Sequence, residues 1–121
     1  MSDAAAVKKG IAVVRPPSSR MMDPAETNRI HKKVKQHISK GIPHVVIDLG
    51  NVDWLNSKGI GMLISCLTSC RDAGGEMVVA RPSKRVKSLL MISQVIRLFD
   101  TYETVKEAKR ALSEMNIREA G

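Results

Sequence analysis

Hydrophobic residues along this chain alternate between short continuous runs and longer stretches in which they recur every three or four positions. The continuous runs, at residues 11–14, 44–49 and 76–80, are typical of strands that are buried or flanked by other strands. Stretches with helical spacing follow these runs, and another closes the chain. They predict helices at residues 24–40, 57–73, from 82–83 onward, and 105–115.

Residues that begin and end helices agree with this periodicity. Asp23 followed by Pro24 is a favourable helix start, because the aspartate oxygen accepts a free amide hydrogen and proline fits the first turn. Gly41 and Pro43 are expected to end that helix, and Thr104 is placed to cap the last one. The helix boundaries therefore have local chemical causes.

The third helix and the segment after it are predicted in less detail. Its helical spacing turns Val86, Leu89 and Leu90 towards the core, with Ile92 as a further inward candidate. Residues 98–99 then read as a short strand or a turn.

Strands that alternate with helices through short connections are typical of an α/β fold with parallel strands. We predict a mixed, partly parallel sheet of four to five strands with about four helices. Residues 1–121 are expected to form a single domain. Within it, residues 11–113 are the predicted core, residues 1–10 a flexible segment or an edge strand, and residues 116–121 a tail.

Composition and charge limit the classes of function. Apolar residues make up 43% of the chain, which excludes a disordered protein, whereas aromatic residues make up only 2%. The formal net charge of +8 invites a nucleic-acid hypothesis. The basic residues are scattered over predicted helix surfaces, and aromatic side chains for base stacking are scarce. We therefore expect no direct nucleic-acid binding, and a general attraction to acidic protein surfaces instead.

The chain also lacks the sequence features of a membrane or exported protein. No apolar run approaches the 18 or so residues that cross a bilayer, and the first ten residues lack the apolar core of a signal peptide. We expect a cytoplasmic location without membrane insertion.

The start of the second predicted helix carries the candidate site. Serine is common at helix starts as a cap, but Asn56 can serve as the cap here, so Ser57 is expected to face solvent. Gly59 and Gly61 remove side chains from the first turn, which lets another backbone or a phosphate approach. Free amides and the positive end of the helix dipole favour an anion there. A phosphate on Ser57 would be tolerated by its own domain and would alter any surface docked there.

Other kinds of site are not predicted. Gly59 and Gly61 lie inside the helix and match neither nucleotide-binding glycine pattern. Cys66 and Cys70, one helical turn apart, lack histidines at a spacing that would complete a metal site, and we predict that both are core residues. We expect no metal and no cofactor.

Two carboxylates and one tryptophan flank the loop before Ser57. No histidine or nucleophile motif accompanies Asp48 and Asp53, so an enzyme is not expected; Asp48 more simply binds loop amides. Leu55 is expected to pack under the helix. Trp54, if partly exposed, would be an anchor for a partner protein.

Taken together, these segments resemble the STAS domain, the sulfate-transporter and anti-sigma-factor-antagonist family. The family hallmark is an apolar strand ending in Asp-Leu, a loop, and Asp-Ser-x-Gly-(Leu/Ile)-Gly-x-Leu. Residues 46–49 (VIDL) and 56–63 (NSKGIGML) resemble it. Residues 73–79, 82–99 and 104–108 resemble the later segments of the family, so that the likeness covers about residues 11–113.

The resemblance implies a function in partner switching. Single-domain members look like anti-sigma factor antagonists, which bind an anti-sigma factor serine kinase and so release a sigma factor. The kinase phosphorylates the serine at the helix start, and a PP2C-type phosphatase restores it. Carried over by motif, Ser57 is the phosphorylation site. The expected partner-binding residues are Asp23, Trp54, Asn56, Ser57, Lys58, Gly59, Ile60 and Gly61.

Two departures from the family pattern keep alternatives open. Asn56 replaces the usual acidic residue before the serine, and Lys58 replaces a residue that is commonly small. A non-phosphorylated STAS subunit or scaffold of a transport or signalling complex is therefore the main alternative function. A basic nucleic-acid-binding domain is a second one. A homodimer is left open.

Overall fold

The computed structural model describes residues 10–17, 20–21 and 23–120. The strands are β1 (Ala12–Val14), β2 (Arg20–Met21), β3 (His44–Asp48), β4 (Trp54–Leu55), β5 (Glu76–Ala80) and β6 (Thr101–Tyr102). The α-helices are α1 (Pro24–Ser39), α2 (Ser57–Asp72), α3 (Lys84–Ile92) and α4 (Val105–Ala120), and a 3-10 helix covers Ile96–Leu98.

The main sheet has four strands in the order β1-β3-β5-β6, and each neighbouring pair is parallel. Strand β2 pairs with β4 in a separate parallel ladder. The predicted α/β fold with a partly parallel sheet of four to five strands and about four helices is confirmed, and every pairing among the described strands is parallel rather than mixed. The small second ladder was not predicted. The flexible segment or edge strand predicted at residues 1–10 lies, except for Gly10, outside the described residues.

The central strands read as continuous apolar runs because helices cover both faces of the sheet. Val45 and Ile47 belong to the core that α1, α2 and α3 build on one face. Val46, between them, packs with Ala108 and Leu112 of α4 on the other face. Successive strand residues point to opposite faces, so every position of β3 is buried.

The predicted caps begin the helices. The carboxylate of Asp23 accepts a hydrogen bond from the amide of Ala25 at 2.9 Å, which starts α1. Thr104 does the same for α4, since its hydroxyl oxygen accepts from the amide of Glu107 at 3.0 Å. These contacts confirm the local interpretation of the sequence.

Of the two expectations for the segment after β5, the one for residues 98–99 is confirmed and the one for Ile92 was wrong. A strand or a turn was expected at residues 98–99, and the structure has the turn: a 3-10 helix covers Ile96–Leu98, and the strand comes later, at Thr101–Tyr102. Ile92 does not face the core, because 77% of it is exposed at the last residue of α3. Only Val86 and Leu90 of this short helix are fully buried.

Parallel pairing places the carboxyl ends of the main strands at one edge of the sheet. Arg15, Asp48 and Arg81 are each found at or just after the end of a strand at this edge. The loop that leaves β3 there runs through β4 to the start of α2, at Ser57.

Candidate functional site

Ser57 is the first residue of α2 and is exposed to solvent. The preceding Asn56 has an extended backbone, and its side-chain oxygen accepts the amide hydrogen of Gly59 at 3.0 Å. Asn56 is therefore the cap, as the sequence indicated. Within the described residues, the Ser57 hydroxyl makes no hydrogen bond to protein, so it is open to another molecule.

The local field at this hydroxyl favours negative charge. The first turn of α2 contains no acidic residue, and its amides lie at the positive end of the helix dipole. Lys58, the next residue, is exposed and adds a full positive charge. A phosphate at Ser57 would therefore meet attraction from its own helix.

The glycines of the first turn have different environments. Gly59 is buried, and its contribution is the amide that binds Asn56. Gly61 is exposed, and a Cβ built on it would meet no atom within 4 Å. Among the described residues nothing requires a glycine at position 61, so its absent side chain leaves bare surface beside Ser57.

Trp54 is half-buried in β4, directly paired with Arg20 of β2. The Arg20 guanidinium carbon lies 5.8 Å from the centre of the indole ring, within the range of a cation–π contact. Arg20 was not found from the sequence, because a two-residue strand leaves no pattern. The pairing holds the tryptophan in place while part of it stays exposed.

An apolar groove of about 400 Å³ opens beside Ser57. It runs between the start of α2 and the segment that follows α3. We call it the Ser57 groove; its lining residues are Leu55, Asn56, Ser57, Ile60, Gly61, Ile64, Leu89, Ser93 and Val95. Met91 and Ile92, at the end of α3, are 62% and 77% exposed. The sequence did not reveal the groove because its two walls are at least 25 positions apart in the chain.

The remaining predicted partner-binding residues are not all at the groove. Ile60 is half-buried in its wall, and Lys58 is exposed next to Ser57. Asp23 is exposed at the start of α1 and is not one of the residues that line the groove. Asp23 uses one carboxylate oxygen to cap α1. Lys58 also lines a second, polar depression of about 340 Å³ between α1 and α2, together with residues such as Asn28 and His31.

Asp48 is a structural charge. Its buried carboxylate accepts hydrogen bonds from the Gly50 amide at 2.9 Å, the Arg15 Nε at 2.6 Å and the Arg81 Nε at 2.9 Å. Burial alone would raise the pKa of this carboxyl, but the bonds from Arg81, Gly50 and Arg15 outweigh it and hold the pKa below its ordinary value of 3.8. The expected loop contact is confirmed, and the two arginines were missed.

The cysteines are core residues, as expected. Cys66 and Cys70 are fully buried, and burial raises the pKa of each thiol to about 12. Both are therefore protonated and poorly nucleophilic at neutral pH. Among the described residues, no three His, Cys, Asp or Glu side chains are placed to hold a metal ion together.

None of the helices in the described parts of the chain has the length and apolar character that a bilayer span requires.

Comparison with known proteins gives consistent matches. The family model described as "STAS domain" matches residues 4–108. A Thermotoga neapolitana protein, named as a candidate anti-sigma factor antagonist, is 27% identical over 73 residues; the match covers 60% of this chain and 65% of that protein. The chain thus spans slightly less than two thirds of this relative.

Two further proteins match over most of their length. The anti-sigma F factor antagonist of Paenibacillus polymyxa is 24% identical over 110 residues, which is 90% of each chain. The unphosphorylated form of the anti-sigma factor antagonist SpoIIAA superposes with a TM-score of 0.69 at 17% identity, over 82% of this chain and 84% of that one. At this identity the structural match shows the fold. Because the family model covers most of the sequence and the fold agrees, this chain belongs to the STAS domain family.

Proposed function

We propose that this chain is an anti-sigma factor antagonist that binds an anti-sigma factor serine kinase and is regulated by phosphorylation of Ser57. The observation that carries the proposal is the exposed Ser57 hydroxyl at the first position of α2, where Asn56 already supplies the cap. The names of the matched relatives support the same class of function. In this proposal the chain itself catalyses no reaction and acts in the cytoplasm.

The unphosphorylated surface is suited to docking. The Ser57 groove offers apolar walls from Ile60, Ile64 and Leu89, and Gly61 leaves room for close approach. Trp54 precedes the groove residue Leu55 and is a further anchor in this proposal, with its ring held by the cation–π contact from Arg20. Buried apolar contact with few polar groups is the usual centre of a protein interface.

Phosphorylation would change this surface without harming the fold. A phosphate adds nearly two negative charges beside the groove, and its desolvation opposes apolar docking. Within the domain itself, the amides of the first turn and Lys58 would favour the added charge. The kinase would therefore lose affinity for its product, and a PP2C-type phosphatase would restore the binding form.

The replacement of the usual acidic residue by Asn56 is compatible with this cycle. Its amide oxygen makes the capping bond that an aspartate would make, so the serine is presented in the same way. Unlike an acidic residue, Asn56 places no negative charge next to the phosphorylated serine, so repulsion of ATP and of the phosphate product is lower.

The first test is phosphorylation in vitro. Incubation with the cognate kinase and ATP should add one phosphate, seen by mass spectrometry, and Ser57→Ala should abolish it. Ser65→Ala is the matched control, because Ser65 is exposed on the same helix and should leave the phosphate in place. A chain that takes up no phosphate would favour the permanent subunit of a larger complex.

Affinity provides the second part of this test. Ser57→Asp should weaken binding to the kinase by about 1–3 kcal/mol in calorimetric titration, because a charge must be desolvated on docking. Ser65→Asp places the same charge elsewhere on α2 and should change affinity little. Equal affinities for Ser57→Asp and the parent chain would contradict regulation at this site.

A further inference from the structure

Another pocket, separate from the Ser57 groove and from the polar depression between α1 and α2, lies between the end of β1 and the exposed face of α1. Its volume is about 500 Å³, which is within the range of small-molecule sites. Arg15, Arg29, Lys32 and Lys33 line it with Pro17 and Ile30, and none of the described residues in its lining is acidic. Within the described part of the chain it shares no lining residue with the Ser57 groove. We call it the basic pocket.

Arg15 lines the basic pocket, and Asp48 does not fully neutralise its positive charge. Asp48 is already bound by Arg81, whose guanidinium donates two hydrogen bonds to it at 2.9 and 3.2 Å. Arg15 adds a third bond through its Nε at 2.6 Å. One carboxylate therefore faces two guanidinium groups. The buried Asp48 fixes the position of Arg15, while the side chain of Arg15 stays 53% exposed.

The cations of α1 converge on the same pocket. Lys32 and Lys33 follow Arg29 by three and four positions, which puts both beside Arg29 on one face of the helix. In the described residues none of the three forms an ion pair. Like charges at this spacing repel one another, and an anion in the pocket would relieve that repulsion.

We propose that the basic pocket binds a small anion that carries linked phosphate groups. Several cations on two separate elements match an anion with more than one charge, and arginine donates paired hydrogen bonds to phosphate oxygens. The concave shape and small volume favour a compact ligand over an extended acidic segment of a protein. This site does not depend on the function proposed for Ser57.

Sodium tripolyphosphate is a suitable probe, titrated into the complete chain at constant ionic strength. Calorimetry should show saturable binding, and amide NMR shifts should concentrate at Arg15 and along residues 29–36. The double variant Arg29→Gln/Lys33→Gln should weaken binding about tenfold or more, because two phosphate contacts are lost.

A matched variant separates a site from general charge. Lys109→Gln/Arg110→Gln removes the same two charges from exposed positions of α4, on the opposite face of the sheet, and should change affinity less than about twofold. Equal weakening by both double variants, or shifts spread over the whole surface, would overturn the proposal. Binding that fails to saturate at millimolar probe would overturn it too.

Two controls identify the source of the phosphate and its relation to Ser57. Sedimentation with vesicles of phosphatidylinositol bisphosphate that Arg29→Gln/Lys33→Gln abolishes would support the site and assign it a lipid headgroup. Tripolyphosphate binding without such sedimentation would support a soluble anion. Ser57→Ala should bind tripolyphosphate like the parent chain, so failure of either proposal leaves the other standing.

Discussion

Asp48 holds the carboxyl edge of the sheet together through partners that come from three parts of the chain. The Gly50 amide is local, and it was predicted from the position of an aspartate at a strand end. Arg15 and Arg81 are each 33 positions away, so no local pattern could reveal them. Identifying these two arginines as partners of Asp48 requires the strand order and the register of the sheet. Gly50 also leaves room for the Arg81 guanidinium, which a Cβ at that position would meet.

Asp48→Asn should lower the free energy of unfolding by about 1–3 kcal/mol at neutral pH, measured by urea denaturation. The amide keeps the shape but loses charged hydrogen bonds. The cost stays moderate because the two arginine side chains are 53% and 43% exposed and can be hydrated. Asp53→Asn, an exposed carboxylate on the same loop, should change stability by less than about 0.5 kcal/mol.

The difference between the parent chain and Asp48→Asn should depend on pH. Because the folded-state pKa of Asp48 is depressed, the unfolded chain takes up this proton first on acidification. Its stabilisation is complete above about pH 5 and is lost as the pH falls through 3.8 and then the lower folded-state pKa. A difference that stays constant from about pH 6 to pH 3 would contradict this role.

At the scale of elements, helix starts were predictable and the short strands were not. The caps Asp23, Asn56 and Thr104 act on amides two or three positions away, so the sequence contains the whole interaction. Strand β6 has two residues and exists because it pairs with the end of β5. Such a strand depends on distant partners, which explains why the sequence left residues 98–99 open between a strand and a turn and did not predict β6 at Thr101–Tyr102.

Helix α2 contains a glycine that its own stability does not require. Gly61→Ala should raise the free energy of unfolding by about 0.5–1 kcal/mol, because alanine is the better helix former and its Cβ has open space. The added methyl group should also weaken kinase binding if Gly61 faces the partner. Both quantities can be measured on one preparation, by urea denaturation and calorimetry.

Gly75→Ala is the contrasting variant for that experiment. A Cβ at Gly75 would collide with the carbonyl oxygen of Pro43, so this change should destabilise the domain. A destabilised Gly61→Ala would show that the first turn of α2 is more tightly packed than the space around it indicates.

At the scale of the whole molecule, the distribution of charge could not be judged from the sequence. The basic residues appear scattered along the chain, yet the fold brings Arg15 against the cationic face of α1. The same applies to apolar surface. Helical spacing predicted that Ile92 faces the core, whereas in the structure Ile92 is the last residue of α3 and is exposed. Periodicity identifies a helix face, and only the packing of elements decides what covers it.

Ile92 tests whether this exposed apolar surface belongs to the kinase interface. Ile92→Ser should change the free energy of unfolding by less than about 0.5 kcal/mol, since the exposed Ile92 side chain buries little surface in the domain. It should weaken kinase binding by about 1–2 kcal/mol if the partner covers it. Leu90→Ala, two positions earlier and fully buried, should instead cost about 2–5 kcal/mol of stability. An Ile92→Ser chain with unchanged affinity would place the interface on the α2 side of the Ser57 groove, because only that wall would then contact the kinase.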